Sequence, residues 1–201
     1  MTEEEWFGAT DPVFMLPTAE QTASPRKRRL FMAGVSRTGW AHYGMPAVHK
    51  VLDCAERYAD GEIREEAVTE HRARSTAGWF WGIPVEPLLC PMGQEIAAVR
   101  TFLTALQSSV WAEKVTRADL LREVVGNPFQ SAELDPNWLT STVILIAQQM
   151  YDAREFGAMP ILADALQDAG CDHADILDHC RDTAQVHVRG CRVIDLVLGK
   201  S

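Results

Sequence analysis

Three cysteines and a histidine cluster near the end of the chain as Cys171-x8-Cys180-x6-His187-x3-Cys191. Thiolate and imidazole are the donors zinc prefers in a closed tetrahedral site. On one helix, the spacing of four between His187 and Cys191 would put both on the same face. Cys171 and Cys180 each fall near the end of a preceding helix, so a tight helical turn-back would bring all four together. His173 and His179 are spare donors. The pattern lacks the paired C-x2-C knuckle of zinc ribbons. Cys180 and Cys191 also occupy positions suited to small core residues, and unpaired cysteine is among the most buried residue types. Buried thiols are therefore the preferred reading. A zinc site of Cys171, Cys180, His187 and Cys191 is the alternative, and a redox-sensing pair a third.

A thiol hydrolase can be drawn from Cys180, His187 and Asp195, but it needs a base within hydrogen-bond reach of the thiol and a third group to orient that base. Asp195 lies eight residues beyond His187, and spacing alone does not supply such geometry. There is no Gly-rich phosphate loop and no His-Glu-x-x-His zinc motif. The Glu-x-x-His pairs of di-iron bundles are missing as well, since Glu66, Glu70 and His71 have the wrong offsets. No catalytic residue and no organic cofactor is expected.

The elements that must position the Cys/His set read as helices. Asp135-Pro136 offers an N-cap acceptor followed by a proline at the first helical position. Apolar residues from Trp138 to Tyr151 are too many for one stripe, with Val143–Ala147 apolar on every side, so 138–151 is expected to be a buried central helix. A helix from Pro160 shows Ile161, Leu162, Ala165, Leu166 and Ala169 on one face, and Gly170 can close it. Asp172 can cap the next, which turns Ile176, Leu177 and Cys180 inward. The last is expected from about His187 to Leu198, with Gly199 as its stop.

Upstream, residues 1–23 look loop-like, with Asp11-Pro12 and Leu16-Pro17 as breakers. Ser24-Pro25 starts a helix whose first turn carries Arg26, Lys27, Arg28 and Arg29. Cations there oppose the helix dipole, so either Glu3, Glu4 and Glu5 fold back over them or water solvates them, with an acidic partner or nucleic acid the alternative. Pro46 to Ala59 is a helix with Val48, Val51, Leu52, Ala55 and Tyr58 on one face. A polar surface helix is expected from Glu62 toward Trp79-Phe80-Trp81, whose rings must be buried or bind a partner. Residues 82–93 hold three prolines and two glycines, a candidate hinge or loose division. Helices are expected at Gln94–Leu106 and Arg117–Val125, and Gly126-Asn127-Pro128-Phe129 turns the chain. No alternating run argues for a strand. The fold class expected is all-α, one domain of about eight or nine helices.

At 201 residues, 47% hydrophobic and 23% charged, the chain has the composition of an ordinary globular protein able to bury a core. A net charge of −9 argues against a general nucleic-acid binder. The opening Met1-Thr-Glu-Glu-Glu-Trp6 has neither the cationic region nor the apolar run of a signal peptide. No apolar stretch approaches the roughly 20 residues that span a bilayer. Five widely spaced cysteines do not suggest a disulfide framework. A cytoplasmic location without membrane association is expected.

Several stretches occur together in a recognisable order: the opening just quoted, Arg28-Arg29-Leu30-Phe31, Ala55-Glu-Arg-Tyr-Ala-Asp-Gly61 and Gly126-Asn-Pro-Phe129. Then come Leu134-Asp-Pro-Asn-Trp-Leu-Thr140, Pro160-Ile-Leu-Ala-Asp-Ala-Leu166, Ala169-Gly-Cys171, Ile176-Leu177, His179-Cys180-Arg181 and His187-Val-Arg-Gly-Cys191. In these the chain resembles a large paralogous family of planctomycete proteins of the Gemmata type. Two departures stand out. Family members often carry a cysteine pair followed by arginines in the Ala33–Thr38 region, where this chain has Gly34-Val35-Ser36-Arg37, and often tryptophan in place of Arg192. The resemblance implies a cytoplasmic protein and supplies no activity. The absent catalytic motifs, the acidic balance and the surplus tryptophans lead instead to an expected function of non-enzymatic protein interaction through Trp79, Phe80 and Trp81, with an unidentified protein partner. A zinc-stabilised protein is the alternative, and an enzyme of unknown reaction a weaker one.

Overall fold

The computed structural model describes residues 1–40, 46–74, 79–80, 83–84, 86–91, 93–107, 117–130 and 133–200. Among them are eleven α-helices, so the protein is all-α, with more helices than expected. The chain divides into two compact units, Met1–Pro128 and Phe129–Ser201. The boundary falls in the Gly126–Phe129 turn, where Gly126 takes φ 79°, and not at the Pro/Gly-rich stretch 82–93. No helix among the described residues is long and apolar enough to cross a membrane.

The N-terminal unit comprises α1 (Glu3–Gly8), α2 (Pro12–Thr22), α3 (Pro25–Trp40), α4 (Pro46–Ala59), α5 (Glu65–Arg74), α6 (Glu95–Gln107) and α7 (Arg117–Val125). Residues 1–23 hold two helices where loop was expected. Asp11 is the reason: its carboxylate accepts the Val13 N–H at 2.9 Å, and Pro12 at the first helical position loses no bond. Helix α3 is the buried centre, packed against α4, α6 and α7. Ser24 caps it, accepting the Lys27 N–H at 3.2 Å, and every residue from Arg29 to Ser36 is buried. On α4 the expected face of Val48, Val51, Leu52, Ala55 and Tyr58 is the buried one.

The cations of α3 find acceptors close by. Arg26 donates to Asp60 at 2.8 Å and Arg28 to the Glu20 carbonyl at 2.7 Å. Arg29 donates to the carbonyls of Leu88 and Cys90, both at 3.0 Å, and to Glu95 at 3.1 Å, while its guanidinium lies over the Tyr58 ring. Arg37 bridges to Asp53 at 2.5 Å and Glu56 at 2.5 and 3.1 Å, tying α3 to α4. Glu5 closes a capping box with Thr2. After α5 a two-residue hairpin pairs Trp79–Phe80 with Ile83–Pro84. The sequence expected no strand here. Of the residues expected to bind a partner, Trp79 and Phe80 form the first of these strands; Trp81 and the side chains of Trp79 and Phe80 lie outside the described residues.

The C-terminal unit comprises α8 (Ser141–Ala153), α9 (Met159–Asp168), α10 (Ala174–Arg181) and α11 (Arg192–Leu198). Its core joins Val143, Met150 and Tyr151 of α8 to Leu162 and Leu166 of α9, Ile176 and Cys180 of α10, and Val193, Ile194 and Val197 of α11. The helix expected over 138–151 with every side buried needs correcting. Asp135-Pro136 opens only the 3-10 turn Pro136–Trp138. The helix proper starts at Ser141, with Thr140 accepting the Val143 N–H at 3.3 Å. One face of it is buried: Val143, Ala147, Met150 and Tyr151 follow the i, i+4, i+7, i+8 rule, while Ile144 and Leu145 stay 41% and 58% exposed. Helix α9 ends as expected at Gly170 (φ 96°), where the N–H groups of Gly170 and Cys171 reach back to Gln167 and Leu166, both at 2.9 Å.

Candidate metal centre

Two imidazoles and a thiol converge in the C-terminal unit. His179, His187 and Cys191 each offer a ligand atom, and these atoms lie within 4.8 Å of one another. His179 Nε2 is 3.3 Å from Cys191 Sγ, and the His187 ring stands edge-on to that of His179, centroids 5.0 Å apart and planes at 72°. His179 and Cys191 are buried, at 7% and 0% exposure, and His187 is half-buried.

Each donor arrives by a different local device. His179 belongs to α10, three residues after Ile176, so it shares that helix's buried face. His187 lies in the irregular connection between α10 and α11. Cys191 occupies the N-cap position of α11, its carbonyl accepting the Asp195 N–H at 2.9 Å. The expected helix from His187 is absent: the chain instead makes a turn closed by Cys191 N–H donating to Val188 O at 2.9 Å. Gly190, at φ 99°, takes the left-handed position such turns reserve for glycine. His187 and Cys191 therefore meet across a turn rather than along a helix face.

Neighbouring contacts hold this turn. The guanidinium of Arg189 lies 4.4 Å from the Tyr151 ring centroid, which also carries the Lys200 ammonium at 4.7 Å. Arg192 makes a two-pronged bond to Asp175 at 2.7 and 2.9 Å, joining the first turns of α10 and α11. Burial pushes the Asp175 carboxyl upward. The Arg192 hydrogen bond and charge outweigh this, helped by His179 and His173, and hold it below its ordinary range.

Of the zinc quartet expected from spacing, the structure unites His187 and Cys191. Cys171 and Cys180 fall outside the converging group, Cys171 beyond the Gly170 turn and Cys180 in the core between the helices. All five cysteines are buried and none is in a disulfide. The core-residue reading thus describes Cys171 and Cys180 well, while Cys191 has a second identity beside two imidazoles. His179, only a spare donor in the sequence, is the ligand that spacing undervalues. Its signal is the three-residue offset from Ile176. A thiol–imidazole contact of the kind a hydrolase needs does form between Cys191 and His179.

The arrangement suits a soft divalent ion. With metal–nitrogen bonds of about 2.0–2.1 Å and a metal–sulfur bond of about 2.3 Å, a tetrahedron has donor–donor edges of roughly 3.3–3.6 Å. The His179–Cys191 separation is already at that scale, and all three donor atoms lie within 4.8 Å of one another. No family model, curated protein or solved structure matches the chain.

Proposed function

We propose that the C-terminal unit is a zinc-stabilised helical module, with His179, His187 and Cys191 as ligands and water or another oxygen completing the tetrahedron. The single observation behind this reading is the convergence of the three donor atoms within 4.8 Å. Thiolate with imidazole favours zinc over magnesium or calcium, which take oxygen ligands. Burial of His179 and Cys191 favours a structural over a catalytic role, since a substrate needs an open approach. Size favours it too. A unit running only from Phe129 to Ser201 is near the roughly 70–80 residues below which a core is commonly supplemented by a metal or disulfides. The ion would fasten the end of α10, the irregular connection and the start of α11 to one another.

The three ligands lie in the stretches that carry the planctomycete resemblance, so the reading extends to that family as a proposal: members should keep all three together. The direct test is elemental analysis of the full chain purified without added metal, together with three variants. About one zinc per chain is expected, retained in Cys171→Ser and lost in Cys191→Ser and His179→Ala. Zinc lost in Cys171→Ser but retained in Cys191→Ser would restore the quartet read from spacing and overturn this ligand set. Absence of metal, with Cys191 protected until unfolding, would make it a core thiol.

A further inference from the structure

The N-terminal unit presents an apolar groove with a carboxylate rim. It is an open concavity of about 480 Å³ between α1 and α2, lined by Met1 and Glu5 on one side and Asp11, Val13, Phe14 and Pro17 on the other. Phe14 is 61% exposed and Val13 39%. These are not core residues turned the wrong way. The inward positions of α2 are already filled by Pro12, Met15, Leu16 and Ala19, all buried, so the helix is apolar on a second face as well. A large exposed ring beside a concavity marks an interaction site more strongly than scattered surface leucines do.

The groove is preformed. Thr2 and Glu5 close a capping box at the start of α1. Arg122 of α7 donates to the Trp6 carbonyl at 3.1 and 2.9 Å and to the Ala9 carbonyl, occupying acceptors at the end of α1. Trp6 Nε1 donates to the Gly126 carbonyl at 3.2 Å, and Asn127 to Glu3 at 2.6 Å. A fixed wall spares a ligand the cost of ordering the site.

Charge selects the occupant. Glu5 and Asp11 line the groove, and Glu4 is exposed on the same helix as Glu5. Glu5 and Asp11 each accept one backbone N–H, which leaves most of a carboxylate's roughly four acceptor sites available. Arg117 lies near enough to Asp11 to offset part of its charge, but the chain as a whole stands at −9. Pro17, lacking an N–H, also removes the helical donor for the Val13 carbonyl and so leaves an acceptor beside the groove. We infer that this groove docks a short amphipathic segment of a partner protein, its bulky apolar anchors against Phe14 and Val13 and its flanking lysines or arginines on Glu5 and Asp11. This is the helix-in-groove mode of recognition, and it is independent of the metal reading.

The test uses the full chain and a fluorescein-labelled synthetic helix of leucine and lysine in amphipathic order, followed by anisotropy. Binding is expected for this peptide and not for its leucine/glutamate counterpart. Phe14→Asp should weaken it at least ~10-fold, as loss of an interface anchor does. Asp11→Asn keeps the cap, since asparagine caps as well as aspartate, and should weaken binding by a few-fold. Circular dichroism and urea midpoints of both variants should match the parent. Three outcomes overturn the inference: equal affinity for Phe14→Asp, Phe14-dependent binding to neutral phosphatidylcholine vesicles, or Phe14-dependent self-association of the chain without peptide.

Discussion

Helices α3 and α8 invert the relation between sequence polarity and burial. Helix α3 opens with four consecutive cations, yet Arg29 through Ser36 are buried without a break. Helix α8 carries five consecutive apolar residues from Val143 to Ala147, yet two of them, Ile144 and Leu145, face solvent. The difference lies in what the surroundings offer. Arg29 has several N–H donors, and within the N-terminal unit it meets two carbonyls, a carboxylate and an aromatic face. A buried charge survives when it is paired and hydrogen-bonded. An apolar side chain needs a neighbouring element, and α8 is covered within its unit only along one stripe.

That comparison breaks first at Arg29. Arg29→Ala leaves Glu95 buried without its ion-pair partner and should cost about 3–5 kcal/mol, read as a large fall in the urea midpoint of the N-terminal unit. Arg29→Met with Glu95→Leu should recover part of the loss, because no charge is then stranded. Recovery stays incomplete while the Leu88 and Cys90 carbonyls lack a donor. If Arg29→Ala unfolds like the parent, the buried pair is not what holds α3. Within α8, Met150→Ala should cost about 2–5 kcal/mol as a core truncation. Leu145→Ala should stay within about 0.5 kcal/mol. Equal effects from the two would mean that α8 is covered on both faces.

Much of the fold is legible in the sequence because helix periodicity and capping are local. The range of α7 agrees with its expected span, as does the inward face of α4. The same Asp-Pro pair misleads twice. Asp11-Pro12 reads as a breaker but opens α2, and Asp135-Pro136 reads as the start of a long helix but opens only a 3-10 turn. An aspartate cap announces a first turn, and whether the helix continues beyond it depends on packing that the dipeptide does not encode. The candidate site is half legible. Spacing points to His187 and Cys191 for the wrong reason, since Gly190 at φ 99° forbids the helix that would align them. It ranks His179 too low because spacing compares donors by sequence number, while the turn before α11 brings Cys191 back to α10.

Smaller effects sharpen the picture of that turn. Gly190→Ala forces a β-carbon into the left-handed region, at about 1–2 kcal/mol. Its zinc content should fall relative to Gly157→Ala, where nothing lies within 4 Å of an added β-carbon. Unchanged zinc in Gly190→Ala would mean that the turn does not set the ligand geometry. Tyr151→Leu removes the ring under Arg189 and Lys200 while keeping an apolar side chain. Loss of the two cation–π contacts should cost about 1–2 kcal/mol, measured by thermal unfolding. No change would show that the ring and the two cations merely coincide.

The smallest expected effect is the pH dependence of the Asp175–Arg192 pair, which joins α10 to α11. The Asp175 carboxyl lies below its ordinary value of 3.8, so the folded chain binds fewer protons there than the unfolded chain does. Its contribution to stability is complete above that ordinary value and fades as pH falls through the lower folded value. Asp175 is 56% exposed, so solvent screening keeps the contribution small. Carboxyl NMR titration should find the Asp175 midpoint below 3.8 in the parent chain and returned upward in Arg192→Leu. The same substitution should flatten that part of the stability profile as pH falls below Asp175's ordinary value of 3.8. The result also bears on the contrast between the units. In the N-terminal unit Arg29 and Glu95 are both buried, so removing one partner has a large effect that exposed pairs do not produce. In the C-terminal unit the ion pair linking α10 to α11 is an exposed one, too weak to fix their ends alone. A midpoint for Asp175 at or above 3.8 would remove that link, and leave the His179–Cys191 contact and the shared apolar core to join α10 to the start of α11.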